Sequence, residues 1–271
     1  MRRFGFTALV TVIMASVLVP FLWIVRTSLQ SSEEFSAGVT GLLPREPTFS
    51  SYVAVFTTDD FLGPLLNSAL ICAASTAVTV VFSALAGYAL ARLEIRGRGL
   101  ILGFLLLAGF FPVLAMIGPL FLLYRSLGFL DSGYPLVLAY MIYTLPITTW
   151  LLKGFFEQIP RGLEEAAMVD GASRLQVLWK IVVPVAMPGV FTAAILSFIL
   201  AWNDFAFALS FLQTPNRFTA PLAIVNLGQS QYQVFHNRID AAVVVITLPV
   251  VVLVLLAQRR IVSGLTAGAI K

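Results

Sequence analysis

Charge is what this chain has least of: only 11% of its 271 residues are charged, against about 25% in soluble domains. With 59% hydrophobic residues, a water-soluble fold is excluded. Cys72 is the single cysteine, so an intrachain disulfide, a CxxC pair and a thiolate metal site are all impossible. His236 is the single histidine, which rules out HExxH zinc chemistry and a histidine-based serine triad; it reads as a solvated loop residue. No G-x-x-x-x-G-K-[ST] stretch occurs, so the chain carries no phosphate cradle of its own, and ATP, if it drives this protein, is bound by another subunit. Neither catalytic residues nor metal ligands emerge, and no clustered His, Cys or carboxylate set supports a membrane enzyme.

What is present is a series of long apolar runs. About 20 apolar residues span a bilayer core of about 30 Å, and runs between charges predict an all-α polytopic membrane protein with six spans: 4–28, 65–91, 100–124, 134–156, 182–203 and 240–258. The apolar stretch after Arg2 and Arg3 is longer than a signal peptide's and lacks a small-residue cleavage site, so it reads as the first span. The centres of the spans hold no carboxylate and no basic side chain, and Asp204 and Asp240 fall near outer ends where water can solvate them. That argues against an ion-coupled secondary transporter or channel, the alternative reading, because such proteins place charged groups within their spans.

Placing the N-terminus inside puts twelve of the 17 basic residues on the cytoplasmic side: Arg2, Arg3, Arg92, Arg96, Arg98, Lys153, Arg161, Arg174, Lys180, Arg259, Arg260 and Lys271. The positive-inside rule therefore predicts that both termini are cytoplasmic. The net charge of +4 reflects topology; the basic residues sit at helix ends and form no stripe for nucleic acid. The stretches between spans are too short for a separate soluble core, so residues 1–271 are expected to form one transmembrane domain. A charged cytoplasmic loop at 157–181 and a polar, aromatic outer loop at 204–239 are its largest connections.

The loop 157–181 is the informative one. Pro160 and Arg161 precede Glu164 and Glu165, and acidic residues near a helix N-terminus are favoured by its dipole. Gly171 can end that helix in a left-handed conformation, after which an amphipathic segment climbs from Arg174 to Pro184. The predicted shape is a helix-turn-helix at the membrane surface, with Ala166 and Ala167 offering a face free of bulk. Spacing alone leaves open whether this is a docking surface or merely a capped interfacial helix.

The pattern E-A-A, three residues, G, nine residues, I-x-L-P resembles the coupling loop of bacterial ABC importer permeases. Here it is Glu165-Ala166-Ala167, Gly171, Ile181 and Pro184, with Val183 in place of the usual leucine. Further stretches resemble the carbohydrate-uptake branch of that family, including the smaller maltose permease and actinobacterial trehalose-type permeases. They are Leu66-Asn67-Ser68, Gly87-Tyr88-Ala89-Leu90-Ala91-Arg92, Lys153-Gly154-Phe155-Phe156, Trp202-Asn203-Asp204-Phe205 and the tail Gln258 to Gly268. The resemblance implies a type I importer permease in a bacterial inner membrane, with an ATPase dimer docked at Glu164, Glu165, Ala166, Ala167, Asp170 and Gly171. It further implies a homologous second permease, an extracytoplasmic sugar-binding protein and a di- or oligosaccharide substrate. No cofactor is expected on this chain, ATP and Mg being held by the partner ATPase.

Other positions remain two-sided. Ser68, Cys72, Thr76, Thr79, Ser83 and Gly87 recur every three or four residues and share one helical face, which suits either close helix packing or a hydroxyl-lined path. Gly99 and Gly103 form a GxxxG, read as a packing contact. Trp202, Asn203 and Asp204 combine an aromatic face with hydrogen-bonding groups, and with Asn67, Ser68 and Thr76 they are candidates for the sugar pathway, or else an interfacial anchor and helix end. In the outer loop, the resemblance makes Gln229, Gln231, Tyr232 and Asn237 candidates for contact with the binding protein.

Overall fold

Inside a bilayer the backbone must satisfy its own hydrogen bonds, so apolar runs become helices. The computed structural model describes residues 2–38, 41–227 and 236–267, with side chains for 5–38, 41–227 and 236–258. Among the described residues there is no β-strand. In chain order the α-helices are α1 (Arg2–Ser28), α2 (Ser32–Ser36), α3 (Ser50–Thr57), α4 (Leu62–Arg92), α5 (Arg98–Gly109), α6 (Val113–Ser126), α7 (Gly133–Glu157), α8 (Arg161–Val169) and α9 (Arg174–Val177). A π-helical turn, Leu178–Val182, leads into α10 (Val183–Val185) and α11 (Met187–Trp202), and then come α12 (Ala206–Phe211), a 3₁₀ turn at Pro215–Arg217, α13 (Ala220–Leu227) and α14 (His236–Ala267).

Helices α1, α4, α7 and α14 are each long and apolar enough to cross a membrane. The other two expected spans are not straight. Residues 100–124, anticipated as one helix, divide into α5 and α6, which meet at 87°. Pro112 lacks an N–H and disfavours helical geometry at Phe111, so the helix that ends at Gly109 has to restart after the proline. The segment Arg174–Val185 likewise meets α11 at 85°, with Pro184 and Pro188 flanking the bend. The count of six spans holds when each bent pair is one span.

The chain folds as two compact units, residues 1–65 with 220–249 and residues 66–219 with 250–271. In the first unit a polar knot joins the end of α1 to the start of α14. The Asn237 amide donates to the Gln30 carbonyl (3.3 Å), Ser32 Oγ (3.2 Å) and Ser51 Oγ (3.1 Å). Thr27 donates to Asp240, and Ser28 shares a 2.7 Å hydrogen bond with the Tyr52 hydroxyl. Asp240 is thus half-buried and partnered, not simply solvated as its position near a span end implied.

In the second unit α4 and α7 pack closely. A Cβ on Gly87 would lie 3.1 Å from the Lys153 nitrogen and 3.3 Å from the Thr149 carbonyl, so the α7 backbone occupies the space of the missing side chain. Ser75 and Ser83 donate to the carbonyls of Val137 (3.2 Å) and Leu145 (3.3 Å), and Thr79 bonds Thr144 (3.1 Å). The small-residue face of α4 is therefore a packing seam, as membrane helices use small residues to bring backbones together. Gly99 and Gly103, by contrast, have nothing within 4 Å of a built Cβ, so their expected packing contact is not made within the chain. Below the seam, Tyr88, Leu152, Phe156, Ile159, Val177, Leu178 and Val182 form one buried cluster, which seats the loop 157–181 on the ends of α4 and α7.

Candidate functional site

Helix α8 begins after Pro160 and ends as the glycine requires. Gly171 takes φ +88°; its N–H donates to the Met168 carbonyl (3.1 Å) and the Ala172 N–H donates to the Ala167 carbonyl (3.0 Å). That pair of bonds is a complete Schellman closure. The next helix starts two residues later on a capping box: Ser173 Oγ accepts from the Gln176 N–H (3.4 Å) and Gln176 Oε1 accepts from the Ser173 N–H (2.8 Å). The expected helix-turn-helix is present, and each of its boundaries has a local chemical cause.

The two faces of α8 differ sharply. Consecutive residues are about 100° apart on a helix, so the six candidate docking residues cannot all point one way. Glu165, Ala166, Asp170 and Gly171 are exposed, beside the exposed apolar side chains of Leu163, Met168, Val169, Leu175 and Trp179. Ala167 is partly buried against the inner cluster, and Glu164 is only 4% exposed. These two of the six coupling candidates face the chain's own core and hold the helix down.

Glu164 reaches this state through two residues of α4. Its Oε1 accepts from Arg92 Nε at 2.5 Å, its Oε2 accepts from the Tyr88 hydroxyl at 2.9 Å, and a second Arg92 nitrogen donates to the Ile159 carbonyl at 2.7 Å. Both side chains of the ion pair are 6% exposed. Losing one partner of such a buried pair costs about 3–5 kcal/mol, because the other charge stays buried without compensation. From sequence Arg92 served only to orient the chain, and Tyr88 and Arg92 only as part of the stretch 87–92 that carries the resemblance; a grip on Glu164 was not foreseen. The available signal was their i, i+4 spacing at the end of a span, which puts them on one face.

The opposite end of the unit holds a second polar assembly. Asp131 adopts φ +56°, a conformation aspartate tolerates. Its carboxylate accepts from the backbone N–H groups of Gln213 and Thr214 (2.9 Å each) and from the Thr214 hydroxyl (2.5 Å), and pairs with Arg217 at 3.4 Å. The Thr214 hydroxyl bond, then the two N–H groups, hold the Asp131 carboxyl down at about 2. Asn67 Nδ2 donates to the carbonyls of Asn216 (2.9 Å) and Phe218 (3.1 Å). Residues 212–218 are thus clamped from two directions, and 206–211 and 220–227, read from sequence as open loop, are helices.

The candidate pathway residues are not brought together as a sugar-facing surface. Ser68 is buried, and Trp202 is 4% exposed with its ring stacked on Phe198 at 5.4 Å. Asp204, expected to be solvated, is half-buried and caps α12, accepting from the N–H groups of Phe207 (3.3 Å) and Ala208 (3.1 Å) and from the Tyr140 hydroxyl (3.0 Å). Thr76 is half-buried, with its Oγ1 buried and without a hydrogen-bond partner. Only Asn203 of the six is exposed, its amide donating to the Ile199 carbonyl at 2.7 Å. Among the binding-protein candidates, Gln229, Gln231 and Tyr232 lie outside the described residues, and Asn237, at 2% exposure, spends its amide inside the polar knot.

Beside the break between α5 and α6 lies an apolar cavity of about 430 Å³, lined by Leu106, Gly109, Phe110, Val113, Tyr143, Pro146, Ile147, Trp150 and Leu200. No group of three or more His, Cys, Asp or Glu able to hold a metal occurs among the described residues. The arrangement offers a seated helical loop with an exposed face.

Residues 47–266 match the model of the family described as binding-protein-dependent transport system inner membrane component. The chain is 43% identical over 262 residues to the trehalose transport system permease protein of Mycobacterium tuberculosis, covering 96% of this chain and 95% of that one. It is 41% identical over 261 residues to the sulfoquinovosyl glycerol transport system permease protein of Agrobacterium fabrum, covering 96% and 91% respectively. Among solved structures, a chain of a bacterial ABC transporter that imports the acidic polysaccharide alginate superposes with a TM-score of 0.80 at 27% identity, covering 95% of this chain and 96% of that one. With helices in place of strands, a membrane-spanning hydropathy pattern and this likeness along nearly its whole length, the chain belongs to the inner membrane components of binding-protein-dependent transport systems, the permease subunits of ABC importers.

Proposed function

We propose that this permease forms half of the translocation path of an ATP-driven importer for a small glycoside, a trehalose-type di- or oligosaccharide, and receives its drive from a separate ATPase through α8 and the turn at Gly171. The observation that carries the coupling role is the two-faced α8: Glu164 and Ala167 fasten it to the chain's own core, while Glu165, Ala166, Met168, Val169 and Asp170 stay exposed for a partner. An exposed apolar patch rimmed by charge is the mark of a protein-binding surface. The substrate class is supported by relatives whose names give trehalose and sulfoquinovosyl glycerol, both glycosides.

The working assembly in this reading contains a homologous second permease, two ATPase subunits that hold ATP and Mg, and a sugar-binding protein outside the membrane. The basic residues orient both termini and the 157–181 loop toward the cytoplasm. Closure of the ATPase dimer draws the α8 helices of the two permeases together and opens the path outward. Asn203, the exposed one of the six candidates, remains the residue offered to the sugar path.

The test is a Gly171→Leu variant in the reconstituted complex. Nothing lies within 4 Å of a Cβ at this position, so the cost is that of the backbone: a left-handed residue with a side chain costs about 1–2 kcal/mol and shifts the turn. Membrane insertion is expected to persist while sugar uptake per ATP hydrolysed falls; uptake at the normal ratio would overturn the coupling role. Collapsing ion gradients with ATP maintained should leave uptake intact, whereas an ion-coupled carrier would stop.

A further inference from the structure

The break between α5 and α6 sits at membrane depth. Residues 110–112 lie midway along the stretch 100–124 expected as one span, and Phe110, Phe111 and Pro112 are all exposed. Each helix end leaves backbone N–H and C=O groups without partners in its own helix, and α6 starts after Pro112 with no side-chain cap. Irregular backbone at this depth is tolerated only where it is buried in protein or lines a water-filled cavity. The surface that carries the break therefore does not face lipid. The apolar cavity of about 430 Å³ lies on this same surface, because Gly109 and Phe110 line it.

The opposite wall is α7. Tyr143, Ile147 and Trp150 line the cavity from the middle of that helix, and their four- and three-residue spacing puts them on one face. Tyr143 and Trp150 are about 10 Å apart along the helix at 1.5 Å per residue, a separation that suits two linked hexose rings. Trp150 is 51% exposed and Phe110 84%, so both rings are uncovered. Tyr143 is braced by Phe207, whose ring plane lies 15° from its own at 6.2 Å, and its hydroxyl donates to the Leu200 carbonyl at 3.4 Å. Ligand pockets of this size are mostly apolar and aromatic, with a few polar groups that fix orientation. The Tyr143 hydroxyl and the Trp150 indole N–H are groups of that kind. Leu200 forms a third wall, and one turn further outward Asn203 is exposed.

We propose that this cavity is a sugar subsite held by this chain itself. A disaccharide lies along α7 with one ring against Trp150 and the other beside Tyr143, Phe110 closes the facing side, and Asn203 hydrogen-bonds at the outer rim. The inference rests on the importer reading and deepens it from a share of the path's wall to a named binding site. A lipid tail would match the apolar walls but leave the backbone at 110–112 unsatisfied. A helix of the second permease would fill the cavity and shut out water. Access from water and protection by sugar separate these occupants.

The complete complex, with both permeases and the ATPase, is placed in lipid nanodiscs with Cys72→Ala and Ile147→Cys in this chain; Ile147 is 42% exposed. Modification of this chain by a charged, water-soluble methanethiosulfonate is followed by mass spectrometry during ATP turnover, with the binding protein either empty or loaded with trehalose. The cysteine is expected to react from water, and the loaded binding protein to slow the reaction about tenfold relative to the empty one. Loss of one aromatic contact is worth a factor of about 2 to 10, so Trp150→Ala is expected to reduce the protection about fivefold. Trp150→Phe, which keeps an aromatic face, should retain most of it. If Ile147→Cys does not assemble, Leu200→Cys, on the third wall, takes its place.

A cysteine that the reagent does not reach, one that trehalose does not protect, or protection unchanged by Trp150→Ala overturns the subsite. Trehalose uptake by the unmodified complex would then still support the importer reading. An unmodified complex that takes up no trehalose when ATP is supplied overturns the trehalose-type importer itself.

Discussion

The loops 157–181 and 204–239 are both long, polar and interposed between apolar runs, yet they are built by opposite means. In 157–181 each turn is closed by a neighbour: Gly171 and Ala172 bond back to Met168 and Ala167, and Ser173 exchanges hydrogen bonds with Gln176. Among the described residues of 204–239, Asp204 caps α12 locally, but the other shaping side-chain bonds come from far along the chain, from Asp131 to Gln213 and Thr214, from Asn67 to Asn216 and Phe218, and from Asn237 to Gln30 and Ser51. Local closure leaves a motif in the sequence. Distant closure leaves ordinary-looking polar residues whose partners are invisible until the chain has folded.

The comparison breaks most severely at the one place where the local loop depends on a distant residue. Arg92→Ala strands the Glu164 carboxylate among buried side chains, and a loss of about 3–5 kcal/mol is expected. Thermal unfolding of the purified protein in detergent would measure it, and a variant as stable as the parent would mean that water reaches Glu164. A smaller loss belongs to the outer side. Asn237→Ala leaves the Gln30 carbonyl and two serine hydroxyls without their shared donor, at about 1–3 kcal/mol. Its affinity for the binding protein should be unchanged in a pull-down once stability is matched, because the residue is buried; a lost affinity would restore Asn237 to the docking surface.

The mildest effect is one of pH. Asp131 is held down at about 2, against an ordinary aspartate value of about 3.9. A carboxyl whose value is depressed by folding stabilises the fold fully above its unfolded value, and that contribution fades as pH falls towards the folded one. Protection of the Gln213 and Thr214 amides from hydrogen exchange should therefore be complete at pH 5 and decline between about pH 4 and 2, after correction for intrinsic exchange. In Asp131→Asn the same amides should show no such step.

The legible part of the candidate site was α8 itself. Gly171 as a left-handed closure, Pro160 as the start and the exposed Glu165 and Ala166 all follow from local rules, and the structure agrees with each. The partition of the helix into two faces was not legible, because knowing that Glu164 and Ala167 face inward requires knowing where α4 and α7 end. The small-residue face of α4 was equally ambiguous. Ser75, Thr79 and Ser83 would look the same lining a path, and only the α7 groups opposite them, the Val137 and Leu145 carbonyls and the Thr144 hydroxyl, decide for packing. The bends at 110–112 and 186 had prolines as their signal, which hydropathy alone overrode.

The amino-acid sequence alone determined that this protein lies in a membrane, how many apolar segments it has, and that one loop bears the family's coupling pattern. These depend on runs, spacings and turn residues, each of which acts within a few positions of itself. The tertiary structure alone decided which polar residues are spent on holding the molecule together. Glu164, Asp204 and Asn237 would each serve a partner if exposed, and each is instead bonded to the chain's own groups. The physical reason is that a buried hydrogen-bonding group has to be satisfied wherever the fold happens to bring it a partner. That partner lies as far along the chain as Arg92 from Glu164, or Ser51 from Asn237.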